Sequence, residues 1–535
     1  MDNFDAVFVG SGINSLTGAA LLAKAGWNVC VLERNSWIGG AIRTECITEP
    51  GYLHDLYSAW HPLFAGSESY QILKNDLSQC GLEYLNTDFP TGTLFPDGSA
   101  AFLSTSQKDN EVEFERLASG DGEAWSTTFS ELLPRIDLAF GALGTELWST
   151  QGLGLAIRTL RRMGIKGTFN FGHEFLSSAR DWLQSTFQSS KVHGLLTPWI
   201  LHAGLGPESA GSGFMIKVMA AALQLGGMPV PRGGGARLPD ALTRYIRACG
   251  STVETNTHVE AVEVANKAAV GVRVEGRLIR ARRAVICNVT PQQLYIKLLD
   301  SRVLPDWVLR NAKRFRYGRS DMQIHVALSE PPRWPDSDPR FLQTAIVHVN
   351  DAMDGVSRAV NEAERGLLPA DPTVVVGQPL AVDPSRAPDG RWILWLQLQE
   401  LPSRPSGDAA GQIDTGNGEW TDALRERYAD RIIAKLARQI PNLEGSIRKR
   451  VVLSPADLER SNINLVGGDP YSGSCSADQF FLLRPLPGLP GHKTPIDRLF
   501  HIGASTHPGP GLHGASGLLA AKHLLGRGFK QVLSR

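Results

Sequence analysis

The chain has 535 residues, 42% of them hydrophobic and 20% charged, an ordinary soluble composition. That length exceeds the roughly 250–300 residues at which one hydrophobic core stops growing, so more than one domain is expected. Lys+Arg and Asp+Glu both number 54 and the formal net charge is zero, which argues against a nucleic-acid binder and against broad attraction to anionic membranes.

Residues 4–10 read as a buried strand, 13–26 ("INSLTGAALLAKAG") as a helix and 28–33 ("NVCVLE") as a second strand. Between the first strand and the helix lies Gly10-Ser11-Gly12-Ile13-Asn14-Ser15, a dinucleotide fingerprint with serine at its third glycine position. Gly10 permits the tight turn, and Gly12 lets backbone approach a pyrophosphate at the helix start. Ser15 adds only a hydroxymethyl at the helix-packing position, where Gly18 one turn later offers relief. Glu33, about 20 residues on, is placed to accept hydrogen bonds from an adenosine ribose and disfavours a 2′-phosphate.

The following "ERNSWIGGAIRTE" places Arg34, Gly39, Gly40 and Arg43 in a second loop. This loop resembles the diglycine motif of flavoproteins of the glutathione reductase and amine oxidase superfamily. The resemblance implies that the paired glycines bring backbone to a diphosphate and flavin while the arginine offers a fork to phosphate. An NAD-only dehydrogenase has no use for this loop, so FAD is the expected cofactor.

Pro96-Asp97-Gly98 marks a hairpin turn. Residues 108–226 are mainly helical in pattern, with apolar three-to-four spacing over 177–187 and 213–225. The stretch near 152–168 ("LGLAIRTLRRMGIKGTF") mixes apolar residues with Arg158, Arg161, Arg162 and Lys166. It reads first as a solvated helix and second as a peripheral membrane contact. The most apolar run, "SGFMIKVMAAALQLGGM", is interrupted by Lys217 and is not expected to span a bilayer.

Residues 232–290 contain a glycine-rich turn at Gly233 to Gly235, a helix and several alternating strands that include Val259. A mixed stretch over 304–400 ends in the strand "RWILWLQLQ". A Gly/Ser/Pro-rich loop over 401–418 precedes a helix near 419–440. The final segment, "RLFHIGASTHPGPGLHGASGLLAAKHLL", reads as a strand ending at Gly503-Ala504, a Gly/Pro loop, and a helix from about Gly514-Ala515. That helix start would present unpaired N–H groups and partial positive charge to the N1–C2=O edge of a flavin. The six cysteines are scattered without CxxC or metal-ligand spacing. Reduced thiols, a cytoplasmic setting and no metal are expected, and no secretory signal pattern opens the chain.

"VGSGINSL…VLERNSWIGGAIRTE", "PGYLHDLYSAWHPLF", "GGDPYSGSCSADQ" and "GASTHPGPGLHGASG" together resemble the phytoene desaturase-like flavoproteins. Among these, the chain is most similar to the branch of pyridine nucleotide-disulfide oxidoreductase domain-containing proteins. The resemblance extends over nearly the whole chain. It implies an α/β fold of the glutathione reductase and amine oxidase superfamily. A Rossmann-type FAD-binding domain would be assembled from 1–105, 230–300 and 455–535. An α+β substrate domain with a mixed sheet and helical cap would occupy 106–229 and 301–454. The resemblance also implies that Val259 meets adenine through its backbone, and it leaves Arg232 an uncertain neighbour of the cofactor. Ser15 and His513 depart from the family pattern.

The expected reaction is removal of a hydride from a small hydrophobic substrate, an isoprenoid or polyene among the options. The alternatives are an oxidase of an amine or alcohol, a non-redox flavin isomerase, or a low-turnover flavin-containing binding protein. Acid–base candidates are His513 first, then His507 and His61, with His54, Asp469 and Tyr471 behind them, because histidine titrates near neutral pH. Oligomeric state is not legible.

Overall fold

A computed structural model describes residues 3–533. The opening strand Asn3–Val9 runs parallel to Val29–Leu32, with the helix Ile13–Lys24 crossing between them. Alternate residues of these strands enter two different cores. Ala6, Phe8, Val29 and Val31 point to one face, and Val7, Val9, Cys30 and Leu32 to the other. This is why both strands read as continuous apolar runs.

Parallel pairing continues from Val29–Leu32 to Thr252–Glu254, and from Asn3–Val9 to the long strand Arg277–Asn288. Arg277–Asn288 then pairs in parallel with Leu499–Ile502. Two antiparallel strands, Ala268–Val274 and Ala261–Ala265, complete seven. One sheet is thus built from three separated parts of the chain. Helices Arg237–Ala248 and Ala515–Leu525 share the Ile13–Lys24 face, burying Leu238, Leu242, Leu518 and Ala521.

A second seven-stranded sheet has the order Ile447–Leu453, Ser320–Leu328, Trp392–Leu401, Val374–Gly377, Thr344–Val349, Phe89–Leu94, Ala100–Leu103. It is mixed, because Thr344–Val349 runs parallel to Phe89–Leu94 while its other neighbours are antiparallel. The hairpin turns at Gly98 (φ 81°) as its Asp-Gly signal implies. Its hydrogen bonds tie residues 89–103 to the second sheet, whereas a boundary at 105 would group them with the first.

One face of this sheet carries Met322, Ile324, Val326, Leu394, Leu396 and Leu398 against Leu424, Tyr428, Ile432 and Leu436 of the helix Asp422–Ala437. The opposite face carries Ile346 and Trp395 toward a helical layer drawn from 107–226. The longest helix there, Thr150–Leu176, is interrupted at Gly164 (φ 67°). Among the described residues every cysteine is free, no His/Cys/Asp/Glu group suits a metal, and no helix is long and apolar enough to cross a membrane.

Candidate active site

At the end of the first strand Gly10 takes φ 85°, a conformation a Cβ would strain. The helix Ile13–Lys24 starts from Gly12 with no side-chain cap and no acid in its first turn, so its leading N–H groups are available to an anion. Glu33 is buried and lies beside this turn. Its Oε2 accepts from the Ser11 N–H (3.0 Å) and Oγ–H (2.7 Å), and its Oε1 from the Asn35 N–H (2.9 Å).

Ser15 is fully buried and its hydroxyl has no partner. Close helix packing falls instead on Gly18 and Gly517. A Cβ on Gly18 would lie 3.2 Å from the Gly517 carbonyl oxygen, and one on Gly517 would lie 1.9 Å from the Asn14 carbonyl oxygen. The opening and closing helices therefore touch backbone to backbone.

The diglycine loop folds onto the same turn. Gly39 (φ 113°) bridges Gly12, its N–H donates to Ser11 Oγ (3.1 Å), and a Cβ on Gly40 would sit 3.2 Å from the Gly12 Cα. Arg34 is exposed at the cavity. Arg43 is turned away from it, paired with Glu45 and stacked on Trp37 at 4.0 Å.

From the other end of the chain, Gly503 (φ 116°) donates its N–H to Ser516 Oγ (3.0 Å), and a Cβ there would meet Asn288 Oδ1 at 2.4 Å. Asn288 also stands 2.9 Å from where a Gly12 Cβ would be. One side chain at the end of Arg277–Asn288 thus spaces the opening turn from the closing strand. Gly514 (φ 67°) begins the helix Ala515–Leu525, and the Ala515 N–H donates to His513 Nδ1 (2.9 Å).

These segments border a single cavity of about 1230 Å³, larger than the roughly 300–1,000 Å³ of most small-molecule sites. Its lining includes Gly10, Gly12, Ile13, Asn14, Glu33, Arg34, Gly39, Gly40, Val259, Ala504, His513 and Ala515. Arg43, Gly503 and Gly514 are not part of this lining, nor is Arg232, which is exposed and ion-paired with Glu83 (2.7 Å). Gly233 to Gly235 are structural. The Gly233 N–H donates to Asp383, and the Gly235 N–H to Asp55, which pairs with buried Arg386 at 2.6 Å.

The acid–base candidates separate. His513 reaches the cavity, but Nδ1 caps the helix and burial lowers its pKa to about 4. His61 lies outside the lining with Nδ1 on the Tyr84 hydroxyl (3.1 Å), and burial takes it to about 3. His507 also lies outside, its Nε2 on the Ala142 carbonyl (2.9 Å), and burial lowers it to about 4. His54 contacts Thr48 (2.8 Å) and is likewise held low by burial. Asp469 is occupied by N–H groups of Gly318, Tyr471 and Gly473, so it organises the loop. Tyr471 lines the cavity and accepts from Gln399 Nε2 (3.1 Å) while donating to the Leu201 carbonyl.

Beyond the glycines the cavity widens among Trp60, Trp199, Met215, Met219, Ile346 and Trp395, and the exposed Leu63 and Leu225 belong to the same wall. Into this apolar part the second sheet sends Asp321, Gln323, Gln397 and Gln399. His202 completes the polar group, stacked on Trp199 (4.7 Å) and 3.2 Å from His348. The motifs did not reveal these residues. The signal was present as alternation. In "SDMQIHVAL" and "WILWLQLQEL" polar residues recur at every second position over much of the strand, yet both strands are almost wholly buried. A buried polar face needs partners or a cavity.

The residues present fit an adenine–flavin dinucleotide. Gly10, Gly12, Gly39 and Gly40 bring bare backbone to the cavity wall, an uncapped helix start faces the cavity, and Asn14 Oδ1 is buried without a partner. Gly10, Gly12, Ile13 and Asn14 could hold the diphosphate, Glu33 the ribose, and Ala504 and Ala515 the flavin.

Known proteins agree with this reading. The profile of the flavin containing amine oxidoreductases matches residues 16–525. Pyridine nucleotide-disulfide oxidoreductase domain-containing protein 2 of Rattus norvegicus is 27% identical, covering 99% of this chain and 94% of that protein. A limonene dehydrogenase polypeptide of Castellaniella defragrans is 26% identical over 97% and 94%. The zeta-carotene-forming phytoene desaturase of Myxococcus xanthus is 25% identical over 95% and 90%. This chain belongs to the flavin-containing amine oxidoreductase family, as an FAD-dependent oxidoreductase.

Proposed function

We propose that the protein is a dehydrogenase or desaturase that removes a hydride from a C–H bond of an apolar substrate. The observation carrying this reading is the cavity itself, which runs without a break from the glycine turn into a chamber walled by tryptophan, methionine and aliphatic side chains. Two of the relatives are named for limonene and phytoene, both hydrocarbons, which supports an apolar substrate here.

In this reading Gly10, Gly12, Ile13, Asn14, Gly39 and Gly40 hold the diphosphate by backbone, Glu33 and Arg34 the adenosine end, and Val259 the adenine. Ala504, Gly514 and Ala515 place the closing helix against the flavin, with Gly503 and Arg43 supporting from behind. Bound FAD supplies the two-electron acceptor. The chain's residues orient the substrate and exclude water from the reacting bond. A peripheral membrane contact through Thr150–Leu176 belongs to the same proposal. It would deliver an apolar substrate, and Leu153, Ile165 and Phe169 are 62%, 70% and 75% exposed beside the cations.

Anaerobic bleaching of the visible flavin spectrum by a panel of terpenes and polyenes tests the assignment. Bleaching by these and not by amines is expected. Bleaching by amines, with peroxide released under air, would make the protein an oxidase instead.

A further inference from the structure

Asp321 differs from the other buried carboxylates described above. Asp55 is paired with Arg386, and Asp469 is satisfied by three N–H groups. Asp321 is 2% exposed, its Oδ2 accepts from Gln397 Nε2 (2.6 Å) and Gln323 Nε2 (3.0 Å), and its Oδ1 has no partner. No cation is within ion-pairing distance of it among the described residues, and it lines the cavity.

Two glutamines from adjacent strands, Gln323 and Gln397 in register, thus grip one oxygen. An asparagine would satisfy the same amides without the penalty of burying an ionisable group. A carboxyl kept in such surroundings, inside a cleft, marks a functional group.

We propose, resting on the dehydrogenase reading, that Asp321 is the proton acceptor of the reaction. One substrate carbon loses hydride to FAD. The neighbouring carbon loses a proton to Asp321, and the electrons of that second C–H bond become the new carbon–carbon double bond. The substrate is oxidised by two electrons, FAD is reduced by two, and the proton leaves Asp321 to solvent before the next turnover.

Burial raises the Asp321 pKa to about 8, a stronger base than an exposed aspartate and one poised close to working pH. The titratable and charged groups on the elements around it are Arg319 and His325 beside or on its own strand, and Arg448, Lys449 and Arg450 on the outer strand. Glu400 lies on the partner strand, His348 on Thr344–Val349, His202 on the short helix Thr197–Ala203, and Asp469 and Tyr471 on a loop. None is hydrogen-bonded to it.

The test compares holoenzyme of wild type, Asp321→Asn and Asp321→Glu. All three should keep the flavin spectrum and ordinary photoreduction. Substrate-driven anaerobic bleaching should fall about 10²–10⁴-fold in Asp321→Asn. It should be partly restored in Asp321→Glu with a shifted pH profile. In wild type the rate should rise with pH through about 8 and lose that step in Asp321→Asn. Bleaching of Asp321→Asn within about threefold of wild type would overturn the proposal.

If amines alone bleach wild type, the dehydrogenase reading falls, and the same variants judge Asp321 on the amine. If nothing bleaches it, infrared titration decides. A carboxyl band titrating near 8 in wild type and missing in Asp321→Asn supports the proposal, and absence of such a band in wild type refutes it.

Discussion

Ser15 has a hydroxyl enclosed by the first helix and its neighbours with nothing to bond. Ser15→Ala removes that unsatisfied group and improves helix propensity, so we expect a gain of about 1 kcal/mol with FAD content unchanged. Denaturant unfolding of both forms checks this. His513 makes a different argument. Its imidazole is neutral at pH 7 and its Nδ1 is committed to the Ala515 N–H. His513→Gln, which keeps an acceptor, should therefore leave the bleaching rate and its pH profile close to wild type. A loss of about 100-fold or more would restore His513 as a proton carrier. At this scale motifs found the residues whose role is conformational. Gly10, Gly39 and Gly40 are legible because glycine suits their positive φ, and Gly12 because a Cβ there would press on the Asn288 side chain. Asn288 carries no local signature, and the alternation around Asp321 marks its strand face without singling it out, because what distinguishes both residues is the company brought by strands far apart in the chain.

At the scale of elements, the helices Ile13–Lys24 and Ala515–Leu525 are separated by almost the whole chain and packed at Gly18 and Gly517. Gly517→Ala forces a Cβ against the Asn14 carbonyl, so the helices must part. A stability loss of about 1–3 kcal/mol is expected, together with weaker FAD retention on gel filtration. Equal stability and full flavin content would show that the two ends are not tightly coupled. The helix Thr150–Leu176 offers a second test. Co-sedimentation with anionic vesicles should be detectable in low salt and lost when Arg158, Arg161 and Lys166 are replaced by Glu. The helices and strands themselves were largely readable from periodicity. The allegiance of the hairpin over 89–103 was not, since a strand's pattern says that one face is buried but not against which sheet.

For the whole molecule, buried histidines make stability depend on pH. His61 is lowered to about 3, and His202, His325, His501, His507 and His513 to about 4, each mainly by desolvation. Between their ordinary 6.5 and these values the unfolded chain binds more protons. Their contribution is thus complete above about 6.5 and is lost as pH falls toward 4. Asp321, raised to about 8, and Glu400, raised to about 7, act in the opposite sense, stabilising most at low pH. His54, His348 and His523 are also lowered by burial and Asp469 is also raised, so nine histidines against three carboxyls decide the direction. The melting temperature should drop on acidification from about 6.5 to about 4, and a flat profile there would contradict the burial of these rings. The first sheet draws its strands from the start, the middle and the end of the chain, the same three regions that carry the nucleotide-type motifs. The cavity the two sheets jointly enclose is a property of their packing and has no counterpart in any one stretch.

The proposed function turns on the opening turn and the closing helix meeting around one FAD beside an apolar chamber. The most direct measurement is the visible spectrum of the purified protein, followed anaerobically as a terpene or polyene is added. A yellow protein whose flavin bleaches on that addition is the predicted result. A colourless protein that cannot be reconstituted with FAD, or a flavin that no apolar substrate reduces, would contradict it.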